Sequence, residues 1–487
     1  MSAIAVVLGP VIAALLSGGL LALANSLHPL WYAAWIAPIP VLVAAYGADG
    51  RKAWWLGFIA GVGGGLSMLE FYAGLMGLPP ALFITLLKAL VFAGGVRFAW
   101  GVRQRIPDWA AAFAFPAWFA AIDTLISVLS ADGTAGSAAY SQMEFPAALQ
   151  VASLGGTPAV VFLASLVPAI VAQAIAGRGA PRRAALGVAP ALFVVALGLG
   201  FGAVRIAGDA PGQGLLVGTA ALDPVDVLPG DWRAALESYG PLFAQARDRG
   251  VGLLVLPEEI SLAPAADIAA IETELARRAR EGSMTLAVGF RLSDAPSLRN
   301  VLFVSTADGR ALTYDKQHLV PVYEIPKITP GGKPPIVVEV GGMRLGGAIC
   351  KDFDFVDVGR DLGVSGAQLV AAPAWDFGRD AWLHGRMAAL RAVEGGFTLV
   401  RSARFGVMSV SDRYGRVLAE APSGSSTLLV ARAPVPPSGV TAYARMGDVF
   451  GGASVGLVLV LVLAGFLRRA PSPPAPLPQG AGRNHQK

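Results

Sequence analysis

Charge is what this sequence lacks most: of 487 residues, only 15% are Asp, Glu, Lys or Arg, while 54% are hydrophobic. A soluble chain of this length carries roughly a quarter charged residues, so part of the solvent for this one is lipid. There is one cysteine, Cys350, which excludes an internal disulfide and any zinc site built on Cys/His spacing. On its own, a lone cysteine is most often a buried apolar filler. Histidine is scarce too, with His28, His318, His384 and His485 the full set. The net charge of +5 is small for the length, and no basic patch interleaved with aromatics suggests nucleic-acid binding.

What is abundant is long apolar sequence. Uncharged or nearly uncharged runs lie at about 3–24, 32–48, 54–76, 80–100, 109–129, 157–177 and 183–206, with an eighth at about 450–467. A helix needs roughly 17–25 apolar residues to cross a bilayer core, so eight spans are expected, the second and eighth at the short end. The connections carry a strict asymmetry. Arg51 and Lys52 follow the second run, Arg103 and Arg105 the fourth, Arg178, Arg182 and Arg183 the sixth, and Arg468 and Arg469 the eighth. The alternate connections, 25–31, 77–79 and 130–156, contain neither Lys nor Arg. Basic loops face the cytoplasm, which places the N-terminus inside and the segment between the seventh and eighth runs outside. Ala22-Leu23-Ala24 resembles a signal-peptide cleavage site, although no charged region precedes it, and cleavage would leave the later loops on the same sides.

Glu70, Lys88 and Asp123 interrupt these runs. Charges within a bilayer are costly unless paired or hydrated, so Lys88 is expected either to pair with Glu70 or Asp123 beneath a polar vestibule, or to leave each group reaching separately for the interface.

From about 209 to 447 the pattern becomes that of a mixed α/β sandwich. Gly214–Ala220, Val251–Leu256, Leu286–Phe290, Leu345–Ile349 and Leu369–Ala372 are short apolar runs suited to buried strands. Residues 231–249 read as a helix interrupted at Gly240-Pro241, 264–281 as an amphipathic helix closed by Gly282, and 379–394 as a further helix. Val301–Ser305 and Ala311–Tyr314, joined through Asp308-Gly309, read as a hairpin, and the runs at 397–402, 407–412 and 416–420 alternate again. The tail, 470–487, is Pro-rich and then polar, a composition that does not fold alone. The expected domains are a seven-span membrane domain over 1–208, a catalytic domain over 209–447, a last span over 448–469 and a disordered tail over 470–487.

Three side chains fall where such a domain presents chemistry. Glu258 follows the strand ending at Leu256 and the breaker Pro257, Lys316 closes the second arm of the hairpin in TYDKQHLVP, and Cys350 ends LGGAIC. Strand ends of this kind are where sites assemble. Singly, Glu258 and Lys316 read as solvated surface charges. Together with Cys350 they form a coherent set for acyl transfer. The carboxylate can take the thiol's proton, and the ammonium can stabilise first the thiolate and then the oxyanion of a tetrahedral intermediate. A Cys–His arrangement through His318 or His384 is the alternative.

Those segments carry a resemblance. LLVLPEE around Glu258, YDKQHLVPVYEIP around Lys316 and GGAICKDFDF around Cys350 resemble the nitrilase (carbon–nitrogen hydrolase) superfamily. With LQVASLGGTPAVVFLASLV, RMAALRAVEGGFTLVRSARFG and YARMGDVF, nearly the whole chain resembles the apolipoprotein N-acyltransferase family. The resemblance implies an αββα sandwich beside the membrane helices, with Glu258 as general base, Lys316 as oxyanion stabiliser, Cys350 as nucleophile and Glu324 as a supporting carboxylate. It also implies a ping-pong reaction in a bacterial inner membrane, with the catalytic domain on the periplasmic side. The acyl donor would be a phospholipid, the acceptor the amine of a diacylglyceryl-cysteine lipoprotein, and no metal or organic cofactor would take part. The departures are Lys351 and Asp352 after the cysteine, where the family has an aromatic and then an acid, AAPAWDFG in place of a loop with a polar pair before Trp375, and RSARFG. An amine beside the thiol would lower its pKa or bind an anionic group. These departures admit two alternatives: a membrane-tethered amidase-like hydrolase with another acyl acceptor, or a non-catalytic scaffold or transporter.

Overall fold

The computed structural model describes residues 3–208, 214–222, 228–294, 296–424 and 426–467. Arg468, Arg469 and the tail lie outside these residues. The first half is helical: α1 (Ala3–Ala24), α2 (Trp31–Ile36), α3 (Pro38–Tyr46), α4 (Gly50–Leu66), α5 (Leu69–Met76), α6 (Leu78–Arg103), α7 (Asp108–Ala111), α8 (Ala114–Leu129), α9 (Pro146–Leu149), α10 (Ala152–Ala176) and α11 (Pro181–Ala207). Among the described residues, Leu78–Arg103, Asp108–Leu129, Ala152–Ala176 and Pro181–Ala207 are long and apolar enough to cross a bilayer. The pair α4 and α5 makes a fifth, broken by a 59° bend, and Leu8–Ala24, Trp31–Tyr46 and Val449–Ala464 are shorter apolar helices. Glycines let the helices approach closely: a Cβ on Gly61 would lie 2.7 Å from the Ala89 Cα on α6.

The polar half alternates strands and helices. Its strands are β1 (Leu215–Ala221), β2 (Leu253–Val255), β3 (Leu262–Pro264), β4 (Thr285–Asp294), β5 (Ser297–Ser305), β6 (Ala311–Asp315), β7 (Ile336–Val340), β8 (Met343–Gly347), β9 (Leu369–Trp375), β10 (Thr398–Arg404), β11 (Val407–Ser411), β12 (Val417–Pro422) and β13 (Thr427–Ala433). They form two sheets, one ordered β13-β1-β2-β4-β5-β6 with β3 beside β4, the other β12-β11-β10-β9-β8-β7. Val217, Val255 and Leu302 of the first sheet share a core with Leu345, Leu369 and Val400 of the second. Outside the first sheet lie α12 (Trp232–Ser238), α13 (Gly240–Asp248) and α14 (Ile268–Gly282). Outside the second lie α15 (Val356–Val364) and α16 (Ala381–Gly395). The layering is αββα, as expected. Short α17 (Ala442–Met446) leads into the apolar α18 (Val449–Leu467).

Local chemistry sets these boundaries. The Asp231 carboxylate accepts from the Arg233 and Ala234 amides to start α12, and Pro241 restarts the helix as α13. The helix α14 buries Ile271, Leu275 and Ala279 on one face. It ends one residue later than expected, because Ser283 and not Gly282 takes the left-handed conformation (φ 49°). The Met284 amide then bonds the Ala279 carbonyl at 3.0 Å, closing the helix while Met284 turns into the core.

The expected pairing of Lys88 with an acid does not form. The Lys88 ammonium donates to the Tyr72 hydroxyl at 3.2 Å, and Asp123 is buried on α8. The bend between α4 and α5 turns Glu70, in the first turn of α5, toward the polar half, where it pairs with Arg379 at 3.0 Å.

Candidate functional site

The turns at one edge of the sandwich converge. Glu258 lies three residues beyond β2, Lys316 directly follows β6, and Cys350 lies three residues beyond β8. All three are nearly enclosed, with 2%, 2% and 6% of their surfaces exposed. The Lys316 ammonium donates to Glu258 Oε1 at 2.7 Å and to both oxygens of Glu324 at 3.0 and 2.9 Å. Glu324 also accepts from the Val320 amide at 2.8 Å, which folds the loop after β6 back over the lysine. The Cys350 thiol points at the Trp375 carbonyl at 3.5 Å. The Glu258 amide bonds the adjacent Ala374 carbonyl at 3.4 Å, so Glu258 and Cys350 meet the same end of β9. The structure thus brings together the three expected side chains and Glu324.

Strain marks the same place. Cys350 (φ 44°), Glu259 (φ 51°) and Phe405 (φ 47°) adopt left-handed conformations, each at a cost of about 1–3 kcal/mol that the surrounding contacts must offset. Gly289 on β4 explains how Glu258 is reached: a Cβ there would sit 2.7 Å from the Glu258 Cα. Glu259 turns away, pairs with Arg291 and leaves its carbonyl to accept from Arg404 at 2.7 Å. Arg404 stacks over the Trp375 ring, 4.3 Å from its centre.

The electrostatics define the resting state. Burial, with help from the Glu258 charge, pushes the Cys350 thiol well above its usual range, against Lys316 and Arg401, so the thiol is protonated at rest. Burial alone would neutralise Lys316, but Glu258 and Glu324 outweigh it and hold the ammonium charged. Burial is the largest single influence on Glu324 and raises it, but Lys316 together with the Val320 amide and Asn300 outweighs it, so the carboxyl stays below its usual range. The Glu258 Oε2 atom is buried without a hydrogen-bond partner, leaving a carboxylate oxygen available to take a proton.

Several supporting residues escaped sequence reading. Asn300 donates to Glu258 at 2.6 Å and to Glu324 at 3.1 Å; its only signal was one polar residue opening the apolar run VLFV. Asp352, read merely as a departure, ties the cysteine turn to the lysine loop. It accepts from the amides of Ile349, Gln317 and His318 at 3.0, 3.1 and 2.9 Å, and from the Tyr314 hydroxyl at 2.9 Å. Burial raises its carboxyl to about 6.

Lys351 is not a free cation waiting for an anion: its ammonium is already paired with Asp132 at 2.7 Å and Asp354 at 3.5 Å. Neither histidine of this half contacts the sulfur. His318 stacks on Phe355 and pairs with Asp357 at 3.1 Å, and His384 is held among aspartates. Among the described residues, no group of three or more His, Cys, Asp or Glu side chains is placed to hold a metal.

A thiol, a carboxylate and an ammonium lie at the edge of an αββα sandwich that is joined to a bundle of apolar helices, and both parts of the chain have known counterparts. The comparisons agree. Residues 17–170 match the family model for the apolipoprotein N-acyltransferase N-terminal domain, and residues 229–445 match the carbon-nitrogen hydrolase model. The apolipoprotein N-acyltransferase of Geobacter metallireducens is 26% identical over 94% of this chain and 95% of that protein. The one from Rhodopseudomonas palustris is 30% identical over 48% of each. A solved amidase from Nesterenkonia sp. is similar over 49% of this chain and 94% of its own, at 24% identity and a TM-score of 0.42. Along nearly its whole length the chain is similar to proteins named apolipoprotein N-acyltransferase.

Proposed function

We propose that this protein is a membrane N-acyltransferase that moves a fatty acyl chain from a phospholipid, through a Cys350 thioester, to the N-terminal amine of a diacylglyceryl-cysteine lipoprotein. The observation that carries the proposal is the enclosed ammonium of Lys316, bonded to two carboxylates beside the molecule's one thiol. Full-length similarity to proteins named apolipoprotein N-acyltransferase supports the acceptor. In this reading the helices of residues 3–207 cross the membrane seven times and α18 crosses once more. The catalytic domain, 209–447, then faces the outer leaflet, where ester donor and lipidated acceptor both reside.

Each residue's task follows from its surroundings. Glu258 accepts the thiol proton as the sulfur attacks the ester carbonyl of the donor. The carbonyl oxygen gains negative charge, and the Lys316 ammonium neutralises it. As the tetrahedral intermediate collapses, Glu258 returns the proton to the departing glycerol oxygen, releasing lysophospholipid and leaving the thioester. The acceptor's neutral amine then attacks the thioester carbonyl, Glu258 takes a proton from the nitrogen, and collapse gives the amide and the thiol. Glu324 and Asn300 keep Lys316 and Glu258 in place through both halves. Burial serves the thioester by excluding water, its simplest competitor.

The test is to incubate the purified protein with a phospholipid carrying a labelled acyl chain, with and without a diacylated lipopeptide. Label should appear on the wild-type protein but not on Cys350→Ala, and should move to the peptide amine. Label released as free fatty acid at the same rate with or without peptide would instead make the protein a hydrolase. Equal labelling of the alanine variant would remove Cys350 as nucleophile.

A further inference from the structure

We propose that the turn carrying Cys350 is held in its reactive geometry by a file of alternating charges. The file starts at Asp132, in the connection that follows α8 of the helical half, and runs beneath the thiol to Arg401, with Lys351 and His384 as positioning residues. The proposal rests on Cys350 being the nucleophile, and it gives a structural purpose to the lysine that stands where the family has an aromatic.

The links are direct. Asp132 meets Lys351 at 2.7 Å, Lys351 meets Asp354 at 3.5 Å, Asp354 meets His384 Nε2 at 3.5 Å, and His384 Nδ1 meets Asp376 at 3.0 Å. Arg401 closes the file with a two-pronged contact to Asp376, one arm at 3.0 Å. The Asp132 side chain is half exposed, while those of Lys351, Asp354, Asp376 and Arg401 are each at most 6% exposed. Buried charges persist only when paired, and here every positive group lies between or against negative ones. Burial would neutralise His384, but Asp354 and Asp376 hold its imidazole at about 10, so it stays cationic, with Asp380 a further carboxylate 3.9 Å from the ring.

The file grips both neighbours of the sulfur. Lys351 is the residue after Cys350, and Asp376 is the residue after Trp375, whose carbonyl faces the thiol at 3.5 Å. The strained backbone of Cys350 (φ 44°) is thus braced from two sides. A second contact strengthens the anchor in the helical half: the Thr134 amide and hydroxyl both donate to the Asp354 carbonyl, at 2.8 and 2.6 Å. Gly133 makes that approach possible, since a Cβ there would lie 2.5 Å from the same carbonyl oxygen. Residues more than 200 apart in sequence are therefore clasped at the nucleophile, which makes the helical half part of the site and not only its tether.

The test uses full-length protein in detergent or nanodiscs, with Asp132→Asn, Lys351→Met, their double variant and His384→Asn. Two readouts are followed: the pH-dependent rate of Cys350 alkylation by iodoacetamide, and kcat and KM for acyl transfer. The expected result is a change of at least fivefold in the alkylation rate and a tenfold or larger fall in kcat for each single variant. KM should stay within twofold, and the double variant should be no worse than Lys351→Met alone. Unchanged alkylation and kcat in variants whose melting temperature falls would reduce the file to a structural role and overturn the proposal. So would effects that multiply in the double variant. Asp132→Asn lies at the exposed end, so it keeps the test decisive if a buried variant fails to fold. Alkylation needs no lipid: an intact alkylation pattern without acyl transfer in any protein would sink the proposed function and leave the clasp standing.

Discussion

Replacing Lys316 by Met removes the one cation between Glu258 and Glu324. In the native protein that ammonium makes contacts of 2.7, 3.0 and 2.9 Å with the two carboxylates, all three groups being buried. Methionine matches the lysine stem up to the terminal amine, so the main loss is the charged group. Removing one partner of a buried ion pair costs about 3–5 kcal/mol, because the other charge stays buried and unmatched. Two acids are stranded here, which places the expected loss at the upper end. The loss should depend on pH in a defined direction. Lys316 holds the Glu324 carboxyl below its unfolded value, so the stability Glu324 contributes is present at neutral pH and is lost as pH falls through the depressed folded pKa. Without the lysine, burial dominates and the carboxyl moves up, so the folded variant takes a proton more readily and recovers stability on acidification. The melting-temperature gap between wild type and Lys316→Met, followed by intrinsic fluorescence in detergent, should be widest near pH 7–8 and narrow toward pH 5. Acyl-enzyme formation should fall by roughly 10²–10³ from loss of the oxyanion partner. A gap that is constant across this range, or a variant as stable as wild type, would refute the electrostatic reasoning.

Three further outcomes follow from named contacts. Asn300→Leu removes the amide that donates to both Glu258 and Glu324, leaving Lys316 to bridge them, and should destabilise the catalytic half by about 1–3 kcal/mol, seen in chemical denaturation, with kcat falling more than KM rises. Gly289→Ala drives a methyl against the Glu258 backbone and should lower the single-turnover acylation rate at least tenfold, with iodoacetamide still reaching the thiol; unchanged acylation would show that the loop yields freely. Asp352→Ala strips the acceptor from one buried and two partly buried amides and should loosen the lysine loop, read as faster hydrogen exchange at Gln317 and His318.

The sequence carried the architecture because its signals are local and periodic. Charge-free runs, strands of four to seven apolar residues and the break at Gly240-Pro241 all state their structure within a few neighbours. The candidate site was legible because Glu258, Lys316 and Cys350 sit next to strand ends, where a short segment declares both element and position. What was not legible depends on contacts across long separations. The edge strands β7 (IVVEV) and β13 (TLLVARA) are apolar enough to be strands, but their places at the sheet edges depend on β8 and β1, which pair with them. Lys351 was open to two functional readings because Asp132, its partner, lies 219 residues away. Lys88 missed its expected acid because the bend between α4 and α5 redirects Glu70, and no periodicity encodes a bend.

Intact-protein mass spectrometry of the full chain, mixed with a defined phospholipid and no acceptor, tests the central claim most directly. The account predicts that wild-type protein gains the mass of one acyl chain, that neutral hydroxylamine removes it as expected for a thioester, and that Cys350→Ala never gains it. Glu258→Gln should acylate at least a hundredfold more slowly, as removal of a general base requires. An adduct that resists hydroxylamine, or one that forms on Cys350→Ala, would contradict the account.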